Sequence, residues 1–329
     1  MILLDLPLEP LTMRYTTQWA KWFSAAFTKA GFDFDTVRGP PLSRDIKAGA
    51  FLDAYNTNIW GLTQIARTLE IISDNPYAEY TVFMHDLWQP GLEALAYAKL
   101  MGRAKIRITG YLHAGAYDPT DILAVQAYAQ NESWPSRFEK MLADVVDDVF
   151  VGSLLHAHRL RHLLSPHVVG NPVDTGGFTA CNARTSTVVF PHRLTSDKQP
   201  QLFDAAMDIV RRTHPHVSVV KTYEHKLPKD EYYKLLSTAA VAVSCAHHEN
   251  FGIAMVEAAA LGCYPVVPDR LAYRETMPDF TRYGEDSAPL IAKRIMAGLY
   301  AAQHGPFGYS NPFTPQRVTR RVVDVLRSK

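Results

Sequence analysis

Short apolar runs alternate with amphipathic stretches along the chain, and the alternation predicts strands joined by helices. Met1–Leu6 is apolar apart from Asp5 and reads as a first strand. Thr16 or Thr17 can cap the helix that follows, which carries Trp19, Trp22, Phe23, Ala26 and Phe27 and stops at Gly31. Asp33–Arg38 predicts a second strand, residues 49–73 a longer helical region, and Tyr80–Met84 a third strand ending at His85-Asp86. A helix over Pro90–Leu100, closed by Gly102, leads to a strand over Lys105–Leu112. Asp148–Ser153 and Leu154–Leu164 repeat the strand and helix. This order predicts an α/β fold with parallel, doubly wound sheets.

The second half restarts the pattern. Thr185–Phe190 is a β-branched strand, Gln201–Arg212 a helix and His216–Tyr223 a further strand. Ala240–Cys245, a polar loop, an alanine-rich helix over Gly252–Leu261 and the apolar run Cys263–Val267 form one strand–helix–strand unit, with Gly262 closing the helix. Pro315–Lys329 spaces Val318, Val322, Val325 and Leu326 between arginines, as one face of a helix would. There is no short internal repeat and no low-complexity tract.

Composition narrows the class. A chain of 329 residues is long for one core, so two domains are expected. At 47% hydrophobic and 20% charged it has ample core and is not a disordered chain. A net charge of +1 offers no global basic field toward nucleic acid or membrane. Cys181, Cys245 and Cys263 have no metal or disulfide spacing, and two of them fall in or beside core strands. No apolar run reaches membrane length, and Asp5 and Glu9 stand where a signal peptide carries bases, so a cytoplasmic location is expected.

The chemistry concentrates around Glu249 and Glu257, with seven residues between them. Glu249 falls in the loop before the alanine-rich helix and Glu257 about a turn and a half inside it. Between them the amides of Phe251, Gly252 and Ile253 are expected unpaired at the helix N-terminus, where they suit an anion. Gly252 lets a phosphate approach the backbone, and a carboxylate further along can accept ribose hydroxyls. These are the parts of a nucleotide-diphosphate site, placed at a strand's carboxyl end.

The run Glu-Asn-Phe-Gly-Ile-Ala-Met-Val-Glu-Ala-Ala-Ala-Leu-Gly-Cys-Tyr-Pro-Val-Val resembles the Glu-x7-Glu signature of retaining glycosyltransferases of the GT-B fold, particularly family 4. The resemblance implies two Rossmann-like domains facing a cleft, the donor held by the second. It places Glu249 by the transferred sugar, Glu257 on the donor ribose, and Asn250, Phe251, Gly252 and Ile253 around the donor. It also assigns Arg193 and Lys198, in the turn after Thr185–Phe190, to the donor diphosphate, where cations stabilise the charge of the departing phosphate. The family's usual glycine before that arginine is His192 here. Residues around Tyr223–Leu227 would meet the nucleobase. His113, directly after a first-domain strand, matches a histidine that touches the sugar, with Asp118 a weaker candidate; Tyr273-Arg274-Glu275 matches an aromatic-x-Glu segment. Asn171-Pro172-Val173-Asp174 resembles the turn between domains, which sets an acceptor domain at 1–174 and a donor domain at 175–329, with the C-terminal helix packing back on the first. No metal or other cofactor is implied.

One departure stands out. No glycine precedes Gly31, so the family's Gly-rich loop after the first strand is replaced by Pro7–Trp19, which carries Arg14 and Tyr15. That segment and Leu112–Asp118 resemble glycosyltransferases of bacteriophages, some of which act on hydroxymethylated pyrimidines in DNA. Arg14 and Tyr15 are then candidates for acceptor phosphate and base. The expected function is transfer of a hexose from a UDP-sugar, without membrane partner, to such an acceptor in double-stranded DNA. A glycan or lipid acceptor, a UDP-sugar 2-epimerase and a non-catalytic nucleotide-sugar binder are the alternatives.

Overall fold

Short apolar runs, too brief for buried helices, pair side by side into two parallel sheets. The structure is a computed structural model and describes residues 1–11, 15–41 and 55–328. The chain divides into two units: Met1–Gly152 with His156–Gly170 and Gln316–Lys329, and Ser153–Leu155 with Asn171–Pro315. The crossing at Gly170–Asn171 lies inside the stretch His167–Asp174.

In the first unit the strands are β1 (Ile2–Leu6), β2 (Phe34–Thr36), β3 (Glu79–Met84), β4 (Lys105–Tyr111), β5 (Asp148–Val151) and β6 (His167–Val168), in the spatial order β2-β1-β3-β4-β5-β6. The two faces follow from the period of two. Leu4, Leu6, Val82, Met84 and Ile108 join an aliphatic core with Ile65, Ile72, Leu92 and Leu95. Phe83 and Tyr111 turn to the other face, beneath the helix Thr16–Ala30, whose Trp19 and Phe23 rings stand 5.0 Å from Tyr111 and Phe83 respectively. Trp19, Phe23 and Phe27 are fully buried, so the aromatic side of this helix is core. Asp5 and His85 are also buried there, Oδ1 to Nε2 at 2.8 Å. Neither threonine caps the helix: Tyr15 is the N-cap residue without a side-chain bond, and Thr16 Oγ1 instead accepts from the Leu11 amide at 3.0 Å. Gly31 ends it at φ 70° as expected.

The second unit repeats this topology. β7 (Thr185–Phe190), β8 (Ser218–Lys221), β9 (Ala239–Val243), β10 (Tyr264–Pro268) and β11 (Arg282–Tyr283) lie in the order β8-β7-β9-β10-β11. Val188, Phe190, Val241 and Val243 pack on the helices Pro200–Thr213 and Ala288–Ala302. Val189, Ala242 and Val267 face the helices Lys229–Thr238 and Ile253–Ala260. Buried on both sides, these strands read as continuous apolar runs rather than alternating ones. The helices Ile122–Ala129, Trp134–Val145, Lys229–Thr238 and Ala288–Ala302 add to those expected from the sequence pattern.

In both units the third strand lies on the opposite side of the first strand from the second. Connections therefore part in opposite directions at β1/β3 and at β7/β9. Ligand sites of open parallel sheets form outside the carboxyl ends of strands at such a point.

Candidate functional site

At the β7/β9 switch point two loops meet. After β7 the chain runs through Pro191-His192-Arg193 into a 3₁₀ turn, Ser196–Lys198, and after β9 it runs through His247-His248-Glu249 into the helix Ile253–Ala260. The His247 amide donates to the Asp197 carbonyl at 2.8 Å and ties the loops together. Lys198 is buried, so its ammonium needs partners. It donates to the His248 carbonyl at 2.5 Å and lies 3.3 Å from Glu249 Oε2 and 3.4 Å from Asp197. Arg193 is more exposed and reaches Asp197 at 3.9 Å. The structure thus brings Arg193, Lys198 and Glu249 together from two separate stretches of sequence.

Burial alone would raise the Glu249 carboxyl, but Lys198, with His192, His248 and the Phe251 amide, overcomes it and holds the group at about 2. Glu249 is a carboxylate at neutral pH and cannot serve there as an acid. His192 is buried and pushed down to about 3, by burial first and then by the Lys198 charge. It is a neutral imidazole, and its Nε2 has no hydrogen-bond partner.

The helix N-terminus differs from the expectation of unpaired amides. Glu249 Oε1 accepts from the Gly252 amide at 2.9 Å and more weakly from the Phe251 amide at 3.4 Å. A carboxylate three residues back reaches these donors as a cap would, which sequence spacing alone did not reveal. Ile253 and Ala254 supply the next amides. Gly252 has φ 86°, and a Cβ there would stand 2.7 Å from Tyr273 Cε1. Gly252→Ala is therefore expected to cost about 2–4 kcal/mol through left-handed strain and overpacking. Denaturant unfolding checks this, and a loss under about 0.5 kcal/mol would contradict it.

Glu257 is buried inside the helix, where its Oε1 accepts from Lys229 Nζ at 2.6 Å and from Tyr233 Oη at 2.8 Å. Lys229 also stands 4.8 Å over the Tyr233 ring. Neither Lys229 nor Tyr233 falls in a motif; only the fold brings them to Glu257. The Asn250 carbonyl accepts from Ser153 Oγ at 2.7 Å, and Glu275 accepts from the Leu154 and Leu155 amides at 2.7 and 2.8 Å. Tyr223 lies in the short helix Thr222–His225 beyond β8.

The remaining candidates lie in the first unit. His113 follows β4, stacks on Tyr111 at 5.6 Å and donates through Nε2 to the His85 carbonyl at 2.8 Å. Burial pushes its pKa down to about 4, so it is neutral. His113 and Tyr15 both line a cavity at the β1/β3 switch point. Asp118 does not line it; it pairs with Arg159 and accepts from Thr120 Oγ1 at 2.7 Å, holding its own loop. Arg14 lies outside the described residues. Among those residues, no group of three or more His, Cys, Asp or Glu could hold a metal, and no helix is long and apolar enough to cross a membrane. Cys245 and Cys263 are buried and pushed up to about 12 by burial, as inert core thiols.

No protein-family model matches the chain. Over 124 residues, 31% of this chain and 33% of the relative, it is 32% identical to the tRNA-queuosine alpha-mannosyltransferase of Drosophila melanogaster. That match spans about a third of the relative's length. Sucrose-phosphate synthase from Thermosynechococcus elongatus superposes with a TM-score of 0.67 at 13% identity, over 99% of this chain and 94% of that one. Anabaena HepE, solved in complex with UDP and glucose, gives 0.61 at 12% identity over 99% of both chains. With two Rossmann-like units, each built on a parallel sheet, this chain has the GT-B glycosyltransferase fold.

Proposed function

We propose that the protein is a retaining glycosyltransferase that moves a hexose from a UDP-sugar to a hydroxyl on a modified nucleobase. The observation that carries this reading is the buried Lys198 ammonium, 3.3 Å from Glu249 at the β7/β9 switch point, with Arg193 beside it. As the bond to the donor phosphate breaks, charge builds on the leaving diphosphate, and Arg193 and Lys198 stabilise it. Glu249, fixed by the Gly252 amide and Lys198, accepts hydroxyls of the transferred sugar and orients it. Glu257 accepts the ribose hydroxyls while Lys229 and Tyr233 hold its other contacts. The leaving phosphate itself takes the acceptor's proton, so front-face transfer with retention requires no separate protein base. The donor reading is supported by HepE, whose structure contains UDP and glucose.

The acceptor reading begins from hydroxymethylated pyrimidine in double-stranded DNA, for which Tyr15 at the first-unit cavity is the described support. A modified nucleoside in RNA is the second reading, favoured by the relative whose name gives tRNA-queuosine as its acceptor. Incubation with UDP- and GDP-sugars, with hydroxymethyl-containing DNA or with tRNA, followed by nucleoside mass spectrometry, decides between them. A hexose adduct on one nucleic acid supports the reading. Sugar transfer to glycan or lipid only, epimerised donor, or UDP binding without turnover would each replace it.

The two glutamates should separate in calorimetry. Glu257→Gln is expected to weaken UDP binding by about 1–3 kcal/mol, since its partner is the ribose. Glu249→Gln should leave UDP affinity near wild type and lower transfer. Equal UDP affinities for both variants and wild type would show the ribose contact to be misassigned.

A further inference from the structure

The cavity at the β1/β3 switch point measures about 150 Å³, and six of its lining residues define its chemistry: Glu9, Tyr15, Trp60, Gln64, Asp86 and Trp88. A volume on this order admits one six-membered ring. The tryptophans use their polar ends elsewhere, Trp60 Nε1 on the Pro7 carbonyl at 3.2 Å and Trp88 Nε1 on Glu139 at 2.9 Å. What they offer the cavity is ring carbon.

Its polar side includes two carboxyl groups and a glutamine. Glu9 is 5% exposed, and Oε1 accepts one hydroxyl, from Thr57 at 3.1 Å. Asp86 accepts from the Trp88 amide at 3.0 Å and from the His113 amide. Gln64 is fully buried, and its orientation is fixed because Nε2 donates to the Pro7 and Val37 carbonyls at 2.7 and 2.9 Å. That leaves Gln64 Oε1 as an acceptor with no partner. Among the described residues, no lysine or arginine lines the cavity, and neither Glu9 nor Asp86 is in an ion pair. Two carboxyl groups share one aromatic-walled space, with the buried Gln64 side chain on its lining and no cation from the described residues between them.

Such an arrangement is costly unless a donor-rich or cationic group completes it. We infer that the cavity receives a ring-sized group carrying a protonated amine, the ammonium between Glu9 and Asp86 and the ring against Tyr15, Trp60 and Trp88. The aromatic walls suit this occupant twice, by apolar contact and by cation–π attraction. Asp86 agrees with it. Burial first, then the charges of Glu9 and Asp121, push its carboxyl up to about 7, and a bound ammonium would relieve that repulsion. In terms of the proposed transfer, on which this last step rests, the amine belongs to the acceptor. The favoured acceptors are therefore modified nucleobases with an aminated substituent, ahead of those bearing only hydroxyls.

The test uses two probes that share a ring and differ in charge, benzylamine and benzyl alcohol, titrated into the full chain by calorimetry, with UDP titrated in parallel. Benzylamine should bind at least about tenfold more tightly than benzyl alcohol, the worth of one charge-assisted hydrogen bond. Glu9→Gln and Asp86→Asn should each remove roughly that preference while UDP binding stays at the wild-type level. Equal affinities for the two probes, absence of benzylamine binding, or unchanged preference in both variants would overturn the inference. Thermal unfolding followed by far-UV circular dichroism reports that each variant is folded; if one is not, the other decides. Amine preference in a protein that does not bind UDP would count against the proposed transfer and leave the cavity's ligand class standing.

Discussion

Lys198→Ala is expected to lower turnover by roughly 100- to 1,000-fold, the usual cost of removing one fixed donor from a developing oxyanion. Lys198 is the buried cation, in contact with Glu249 and the His248 carbonyl, whereas Arg193 is more exposed and 3.9 Å from Asp197. The buried charge is less screened and costs less reorganisation, so its loss should exceed that of Arg193→Ala. The substitution has a second effect whose sign is fixed. Glu249 is held at about 2 chiefly by the Lys198 charge acting against burial, so the wild-type carboxylate stays ionised throughout the neutral and mildly acid range. Without that charge the Glu249 pKa rises, and an acid limb should enter the rate profile near or above the ordinary carboxylate range, at about pH 4–5. Initial rates of UDP release from about pH 4 to 8 measure both effects. Lys198→Ala turning over at the wild-type rate would remove this loop from the chemistry.

Arg184→Met should destabilise the second unit by about 3–5 kcal/mol, because it strips donors from several buried carbonyls at once. The guanidinium donates to Ser237 and Leu261 through one nitrogen, at 2.5 and 3.0 Å, and to Leu236 and Ala239 through the other, at 2.9 Å for Leu236. These carbonyls end the helix Lys229–Thr238 and follow the helix Ile253–Ala260. One side chain therefore closes the two helices, carrying Tyr233 and Glu257, that cover one face of the second sheet. Chemical denaturation followed by a probe in the second unit reads the loss. A change below about 1 kcal/mol would mean that water or backbone shifts satisfy those carbonyls instead.

The strands were legible where they are buried on both faces: Val188, Val189 and Phe190 are fully buried, and the structure places β7 over the predicted Thr185–Phe190. The alternation of strand and helix then implied parallel sheets in two units, which is the fold observed. One of the helices absent from the sequence reading has no buried stripe. Ile122–Ala129 buries none of its residues, so its apolar positions mark no face. At the site, the family resemblance implied that Arg193, Lys198 and Glu249 belong to one donor site, and the structure sets Lys198 beside Glu249, with Arg193 and Lys198 both near Asp197. The use of Glu249 to hold the Gly252 amide was not legible, because a side chain's choice between ligand and backbone depends on loop geometry. Arg184 carried no signal in the sequence, since only the fold brings Leu236 and Leu261 to it. Glu9, Gln64 and Asp86 come from three distant stretches and share a cavity only after β1 and β3 pair.

The final helix, Pro315–Arg327, belongs to the first unit: Val318, Val322 and Leu326 are buried, Arg107 donates to the Leu326 carbonyl at 2.8 Å, and Arg321 to the Val169 carbonyl at 3.0 Å. On the ribosome that helix emerges only after residues 171–315, nearly the whole of the second unit, have been made. At typical elongation rates the delay is roughly ten to thirty seconds. For that interval Arg107 lacks the Leu326 carbonyl and the Val169 carbonyl lacks Arg321, and the second unit, contiguous from 171 to 315 apart from three earlier residues, is free to finish before the unit that began first.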